Sequence, residues 1–297
     1  MEKLKKGDKI GIIAPAGFIQ KGDKLATAIA LLTSWGLQVK LGKNLFNEFH
    51  HFAGTDEERI TDFQTFLDDD SIKAIWFARG GYGSIRIIDK IDFSKFKKNP
   101  KWIIGYSDFT VIHQAIHQMK LESIHAFMPT STATFLEKNT AIASFKKVLF
   151  KDTLSYEFPA NKYNKLGKVN GEIIGGNLAI ISSLLGTKYS IKSKNKILFI
   201  EDIGEYKYRI DRMLYSLKLN GYFKDCSALL VGSFTNIPKN DPNFGMSIEA
   251  LILAVVKEYD FPVCFDFPAG HIANNNALIF GRKATLEINK NGSKLTY

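Results

Sequence analysis

Trp102-Ile103-Ile104-Gly105-Tyr106-Ser107-Asp108-Phe109-Thr110 is an apolar strand that runs into a glycine, a serine and the start of a helix, Val111-Ile112-His113-Gln114-Ala115-Ile116. A serine at such a sharp strand-to-helix turn carries its hydroxyl clear of the backbone, above the carboxyl edge of a sheet and beside helix amides that lack partners. A nucleophile needs this placement: an exposed oxygen, N–H donors for a developing oxyanion, and a helix dipole that favours negative charge. Serine is also a preferred helix cap. Phe109 stands where the G-x-S-x-G pattern would put its second glycine. The stretch alone leaves cap and nucleophile both open.

Upstream, Lys9-Ile10-Gly11-Ile12-Ile13-Ala14 is another buried-type strand, closed by the turn Ala14-Pro15-Ala16-Gly17. The spacing of Leu25, Ala28, Ile29 and Leu32 predicts a helix that ends near Trp35-Gly36. Residues 37–41 and 72–78 read as further strands, and Asp56-Glu57-Glu58-Arg59 opens a helix with acids in its first turn. Strand and helix alternating over short connections predict an α/β fold, an open and mostly parallel sheet over residues 1–150. Ligands of such sheets sit at the carboxyl ends of the strands, where Gly81 and Ser107 both fall. Residues 151–168, with the polar run Pro159-Ala160-Asn161-Lys162-Tyr163-Asn164-Lys165, read as a linker. Residues 169–297 read as a second, smaller α/β domain. Its strands lie near 197–202, 228–232 and 263–266, its helices near 178–185, 208–219 and 248–259, and a terminal hairpin turns at Asn291-Gly292.

A chain of 297 residues has room for two domains, and 45% hydrophobic content with a mean hydropathy of −0.08 describes an ordinary globular protein. The net charge of +10 comes from lysines scattered among Asn, Ile and Phe, with no basic helix, so a nucleic-acid partner is not expected. Such a charge at most steers small acidic substrates weakly. No apolar run follows the first lysines, and no window offers the roughly twenty apolar residues of a membrane span. Cys226 and Cys264 lie in apolar surroundings without metal spacing and read as free thiols of a reducing compartment. A cytoplasmic protein is expected.

Few residues outside the opening stretch offer chemistry. Arg79-Gly80-Gly81-Tyr82-Gly83-Ser84 follows a strand and opens a helix. It could cradle a phosphate, supply oxyanion-hole amides or simply turn the chain, and it matches neither the dinucleotide nor the P-loop pattern. His113 and His117 share a helix face as a metal pair would, but without the Glu of H-E-x-x-H, and core positions suit them as well. His50, His51 and His125 carry no signal. His271 lies in the loop Pro268-Ala269-Gly270-His271 after a strand, and Glu201 stands near the end of a strongly apolar one. A carboxylate there either reaches the solvent edge or faces something cationic. Serine, histidine and glutamate at three strand ends could form a nucleophile, base and orienter, although their proximity is not legible in sequence.

Six motifs in order, however, resemble the LD-carboxypeptidase family of serine peptidases, which includes the microcin C immunity peptidases. They are Gly11-Ile12-Ile13-Ala14-Pro15-Ala16-Gly17, Ala78-Arg79-Gly80-Gly81-Tyr82-Gly83, Ile104-Gly105-Tyr106-Ser107-Asp108, Gly175-Gly176-Asn177-Leu178, Glu201-Asp202-Ile203-Gly204-Glu205 with Tyr208-Arg209-Ile210-Asp211-Arg212, and Gly270-His271. The resemblance implies Ser107 as nucleophile, His271 as general base, Glu201 as its orienter, and the backbone amides of Gly81 and Asp108 as the oxyanion site. It implies a glutamine-amidotransferase-like N-terminal α/β domain that carries the serine and a smaller C-terminal one that carries the other two. It also implies a homodimer, no metal and no cofactor. The substrate would be a small peptide, a murein tetrapeptide that loses its terminal D-alanine in cell-wall recycling. Arg79 is the first candidate to clamp the substrate carboxylate, with Glu205, Tyr206 and Arg209 as further pocket residues. Where the family commonly has a proline-containing stretch after the histidine, residues 272–281 read Ile-Ala-Asn-Asn-Asn-Ala-Leu-Ile-Phe-Gly. The rival readings are a hydrolase of microcin-type peptidyl adenylates and, from another class, a non-catalytic phosphate- or nucleotide-binding module.

Overall fold

The computed structural model describes residues 1–20, 25–134, 139–151 and 153–297. The first half supplies β1 (Lys9–Ile13), α1 (Leu25–Ser34), β2 (Gln38–Leu41), α2 (Asp56–Asp68), β3 (Ile72–Phe77), α3 (Ser84–Ile87), α4 (Ser94–Lys98), β4 (Trp102–Gly105), α5 (Thr110–Gln118), β5 (Ser123–His125) and α6 (Thr140–Phe150). The second supplies β6 (Ser155–Phe158), β7 (Gly167–Asn177), α7 (Leu178–Ser183), β8 (Lys196–Ile203), α8 (Lys207–Leu219), β9 (Ala228–Thr235) and α9 (Ile248–Val255). It closes with β10 (Val263–Cys264), β11 (Leu278–Phe280), β12 (Lys283–Asn289) and β13 (Gly292–Thr296).

These strands form two sheets, ordered β11-β5-β4-β3-β1-β2 and β10-β9-β8-β7-β12-β13-β6. From β5 to β2 the first is parallel, and helices on its faces leave every residue of β4 buried, which is why its strands read as continuous apolar runs. In α2 the expected acids serve a capping box: Thr55 Oγ1 accepts from the Glu58 amide at 3.2 Å, while Glu58 Oε2 accepts from the Thr55 amide at 2.8 Å. The second sheet is parallel from β10 to β7 and antiparallel beyond, ending in the expected hairpin of β12 and β13.

Several strands depart from the sequence reading: β5 and β7, the latter starting inside residues 151–168, are absent from it, as are β6 and β11. Within residues 151–168, Ser155-Tyr156-Glu157-Phe158 forms β6 and pairs with β13, its alternate residues Tyr156 and Phe158 turned inward. Four alternating residues among polar neighbours are too short a pattern to stand out. Near the other end, β11 leaves its own half and adds an antiparallel edge to the first sheet, Leu278 opposite His125. One apolar cluster accordingly runs through both sheets, from Trp76 and Phe145 to Phe199 and Phe267.

Helix α5 is the hinge-pin of the seam between the sheets. Gln114 Nε2 donates to the Gly175 carbonyl at 2.7 Å, and Thr110 Oγ1 accepts from the Asn177 amide at 3.0 Å. Such close approach requires glycine on β7. At φ 134° and 137°, Gly175 and Gly176 sit where side chains rarely go, and a Cβ would strike the Phe199 carbonyl or the Thr110 hydroxyl. On its other face α5 presents His113, whose ring spans from Ser123 Oγ (2.7 Å) to the Gly105 carbonyl (2.9 Å). Both nitrogens are occupied, so this histidine is a core strut and not half of a metal pair.

Gly175→Ala should therefore cost about 3 kcal/mol or more, from backbone strain plus overpacking. Gly186→Ala, at φ 75° but facing open space, should cost only about 1–2 kcal/mol. Urea denaturation of the two variants checks the difference. Burial pushes His113 down to about 4. The unfolded chain thus binds a proton there below its ordinary 6.5 that the fold refuses, and stability present above 6.5 is lost as pH falls toward 4. Asp202, pushed up to about 6 by burial, acts in the opposite sense, because the fold takes up its proton first. His113→Gln should remove only the histidine's share. Between pH 6.5 and 5 the stability of the wild type relative to this variant should decline by up to about 1.4 kcal/mol per pH unit.

Candidate active site

The chain leaves β4 through Tyr106 in extended conformation, and Ser107 then adopts φ 65° before a short 3-10 turn leads into α5. A left-handed serine costs about 1–2 kcal/mol relative to an ordinary conformation, and such strain collects at functional turns. Among the described residues no helix amide donates to its hydroxyl. Instead Ser107 Oγ lies 3.0 Å from His271 Nε2, and His271 Nδ1 lies 2.7 Å from Glu201 Oε2. The three residues that sequence could not connect form one hydrogen-bonded line across the seam.

Each member has its own local cause. Glu201 lies on β8, fully buried, where the register against β9 shifts between Ile200 and Asp202. The extra residue lies on β9, and because both faces of β8 are covered its alternation turns two consecutive carboxylates into the interior, one to each side. Asp202 takes up backbone and amide donors: Asn177 Nδ2 (3.0 Å), the Ala179 amide (2.9 Å) and the Ile203 amide (2.8 Å). Glu201 is left for the imidazole.

His271 follows Gly270, whose φ of 116° and contact with Glu201 Oε2, 2.8 Å from where a Cβ would be, exclude a side chain. Asn275 Oδ1 accepts from the Gly270 amide at 2.9 Å and from His125 Nε2 at 3.2 Å, tying the histidine loop to β5. Thr235 Oγ1 donates to the His271 carbonyl at 3.3 Å, and the Tyr106 ring lies 4.8 Å from the imidazole. Burial, and then the nearby Glu201 charge, raise the Tyr106 phenol well above its usual range, so it remains a neutral wall. Asn275 went unnoticed in sequence because it is the middle of three asparagines. Only its place in the loop distinguishes it.

The glycine loop lies directly beside the serine. A Cβ on Gly80 would stand 3.5 Å from Ser107 Oγ, and Gly81 is exposed at φ 98°. Among the described residues neither the Gly81 nor the Asp108 amide donates to another backbone group. The Asp108 carboxylate, raised by burial, receives the Ser84 amide at 2.8 Å and so ties the serine turn to the end of this loop. Arg59, missed as a site residue, braces the same loop while buried. Its Nη1 donates to the carbonyls of Pro15 (2.8 Å) and Gly83 (3.1 Å), and its Nη2 meets Asp56.

The remaining expected pocket residues are not drawn into the triad's hydrogen bonds. Arg79 Nη1 donates to the Phe18 carbonyl at 3.0 Å. Glu205 and Arg209 face each other at 3.4 Å on the surface at the start of α8, and Tyr206 stacks on Tyr208 with ring centroids 5.6 Å apart. All three follow the carboxyl end of β8, and the Gly204 amide donates to Thr235, the residue that also holds the His271 carbonyl. Among the described residues no group of three or more His, Cys, Asp or Glu is arranged to hold a metal ion.

Residues 10–126 match the model of the LD-carboxypeptidase N-terminal domain, and residues 170–286 that of the LD-carboxypeptidase C-terminal domain. The chain is 39% identical over 287 residues to a probable murein peptide carboxypeptidase of Bacillus subtilis, covering 95% of this chain and 90% of that one. It superimposes on the crystal structure of muramoyltetrapeptide carboxypeptidase from Oxalobacter formigenes with a TM-score of 0.89 and 30% identity, over 97% of this chain and 98% of the other. An MccF-like protein from Bacillus anthracis shares the fold, with a TM-score of 0.86 at 23% identity over 99% and 97% of the two chains. With both halves matched in order and the fold aligned nearly end to end, the chain belongs to the LD-carboxypeptidase family.

Proposed function

We propose that this protein is a serine carboxypeptidase that cuts the amide between an L-configured centre and a C-terminal D-amino acid, releasing D-alanine from murein tetrapeptide. The observation that carries the reading is the line from Ser107 Oγ through His271 to Glu201 Oε2, with links of 3.0 and 2.7 Å. The names of the relatives at 39% and 30% identity supply the substrate class.

In this mechanism His271 Nε2 takes the Ser107 proton as Oγ adds to the scissile carbonyl carbon. The oxygen becomes an anion and turns toward the amides of Gly81 and Asp108. As the C–N bond breaks, the imidazolium gives its proton to the departing amine of D-alanine, leaving an ester on Ser107. A water molecule, deprotonated by the same imidazole, then hydrolyses the ester and returns the proton to Ser107. Glu201 Oε2 accepts a hydrogen bond from His271 Nδ1–H throughout, and the proton stays on the ring. It thereby fixes the tautomer that leaves Nε2 free as a base, and it stabilises the imidazolium that forms.

We further propose that the chain works in the cytoplasm as a homodimer. Two buried free thiols, both raised to about 11 by burial, support a reducing compartment. The exposed row Tyr208, Tyr215 and Leu219 along α8 supports a second copy as partner. Light scattering should then give twice the chain's 33.4 kDa. Ser107→Ala and His271→Ala should each lower kcat for D-alanine release from tetrapeptide by about 10⁴- to 10⁶-fold with little change in melting temperature. A Ser107→Ala enzyme that still releases D-alanine at the wild-type rate would refute the mechanism.

A further inference from the structure

His51, an ordinary surface histidine by sequence, has an unusual position. Its Nε2 lies 3.9 Å from where a Cβ on Gly81 would be, and Gly80, the residue before, adjoins Ser107 Oγ. The imidazole and the serine hydroxyl therefore flank one dipeptide of the glycine loop. The placement is built and not incidental. His50 and His51 form the tip of a tight turn in which Phe49 and Phe52 exchange two backbone hydrogen bonds of 3.0 Å, with His50 at φ 55°. Phe52 bridges to Gly17, the Ala53 amide donates to the Ala16 carbonyl at 2.9 Å, and the Gly17 amide donates to the Gly80 carbonyl at 3.0 Å. Backbone hydrogen bonds thus lead without a break from the histidine turn to the loop beside the nucleophile.

A carboxypeptidase substrate ends one residue past the bond that is cut, so its terminal carboxylate lies within about 4 Å of the scissile carbonyl, one residue of chain. The cleft must therefore be closed on that side and must offer a donor there. The 14–17 segment and His51 wall that side, with Gly17 Cα 3.6 Å and His51 Nε2 3.9 Å from the Cβ position of Gly81. The arginines around the loop are already engaged: Arg59 with Pro15, Gly83 and Asp56, Arg86 with Asp56, and Arg79 with Phe18. His51 is exposed, touches the Phe52 ring edge-on, and among the described residues makes no hydrogen bond. A histidine Nε2–H is a donor that a carboxylate accepts readily.

We propose that His51 is the specificity residue that reads the free carboxylate of the departing D-amino acid. The proposal rests on the peptidase reading above and deepens it. The test uses two tetrapeptides, one ending in a free D-alanine carboxylate and one in D-alaninamide, with full-length wild type, His51→Ala and His51→Gln. Loss of a hydrogen bond to a charged group corresponds to about a 10- to 100-fold change. The preference for acid over amide, as a ratio of kcat/KM, should fall by that factor in His51→Ala, mainly through KM. Gln retains a donor and should restore part of it. An unchanged acid-to-amide ratio in His51→Ala overturns the proposal. A second measurement does not need turnover: N-acetyl-D-alanine added to Ser107→Ala should shift the His51 ring resonances in NMR spectra, while its amide should not. Ring signals that stay unmoved overturn the proposal even if the wild type releases D-alanine. A wild type that releases none refutes the peptidase reading, and the NMR titration still decides whether His51 binds the carboxylate.

Discussion

The site depends on two sheets meeting with hydrogen-bond accuracy. A bond of 3.0 Å between Ser107 on one side and His271 on the other weakens steeply if the sheets shift by even half an ångström. Flexible loops do not hold such tolerance, but close-packed interiors do. Here the seam is dense in both backbone and side chains. Glycines on β7 admit α5 to direct contact, β11 crosses to complete the first sheet, and the rings of His125, Phe199 and Phe280 pack within about 5–6 Å of one another beneath the triad. The helix that follows Ser107 is thus the same one that docks the two halves.

Adjacent carboxylates on β8 divide two kinds of work. Asp202 accepts from the Ala179 amide in the first turn of α7 and from the side chain of Asn177, and burial raises it to about 6. Glu201 takes the imidazole. Both can be buried because β8 is covered on both faces, so ordinary alternation turns Glu201 toward His271 on one side and Asp202 toward the start of α7 on the other.

Around the serine, segments distant in sequence form one backbone framework. Residues 14–17, 49–53 and 79–84 are joined by main-chain hydrogen bonds, with buried Arg59 braced between Pro15 and Gly83 and the Asp108 carboxylate holding the Ser84 amide. The framework explains why the resemblance rests on glycine-rich stretches as much as on the reactive residues. Gly17, for instance, packs so closely on the Gly80 carbonyl that a Cβ would stand 2.8 Å away.

Amino-acid order alone determined strands β1 to β4 and β8 to β10, helices α1, α2, α5 and α7 to α9, and the hairpin at Asn291-Gly292, because burial on both faces and amphipathic periodicity write themselves into local composition. The serine turn was visible too, but as a choice between cap and nucleophile. Tertiary structure brings the His271 ring, from 164 positions away, against that hydroxyl. It also decided the roles of β6 and β11, which are too short to carry a periodic signal. Asn275 and His51 gain meaning only from their neighbours. Local interactions select a residue's conformation, and the chain records them nearby; a catalytic contact depends on where two separately built surfaces come to rest, and no single stretch encodes that.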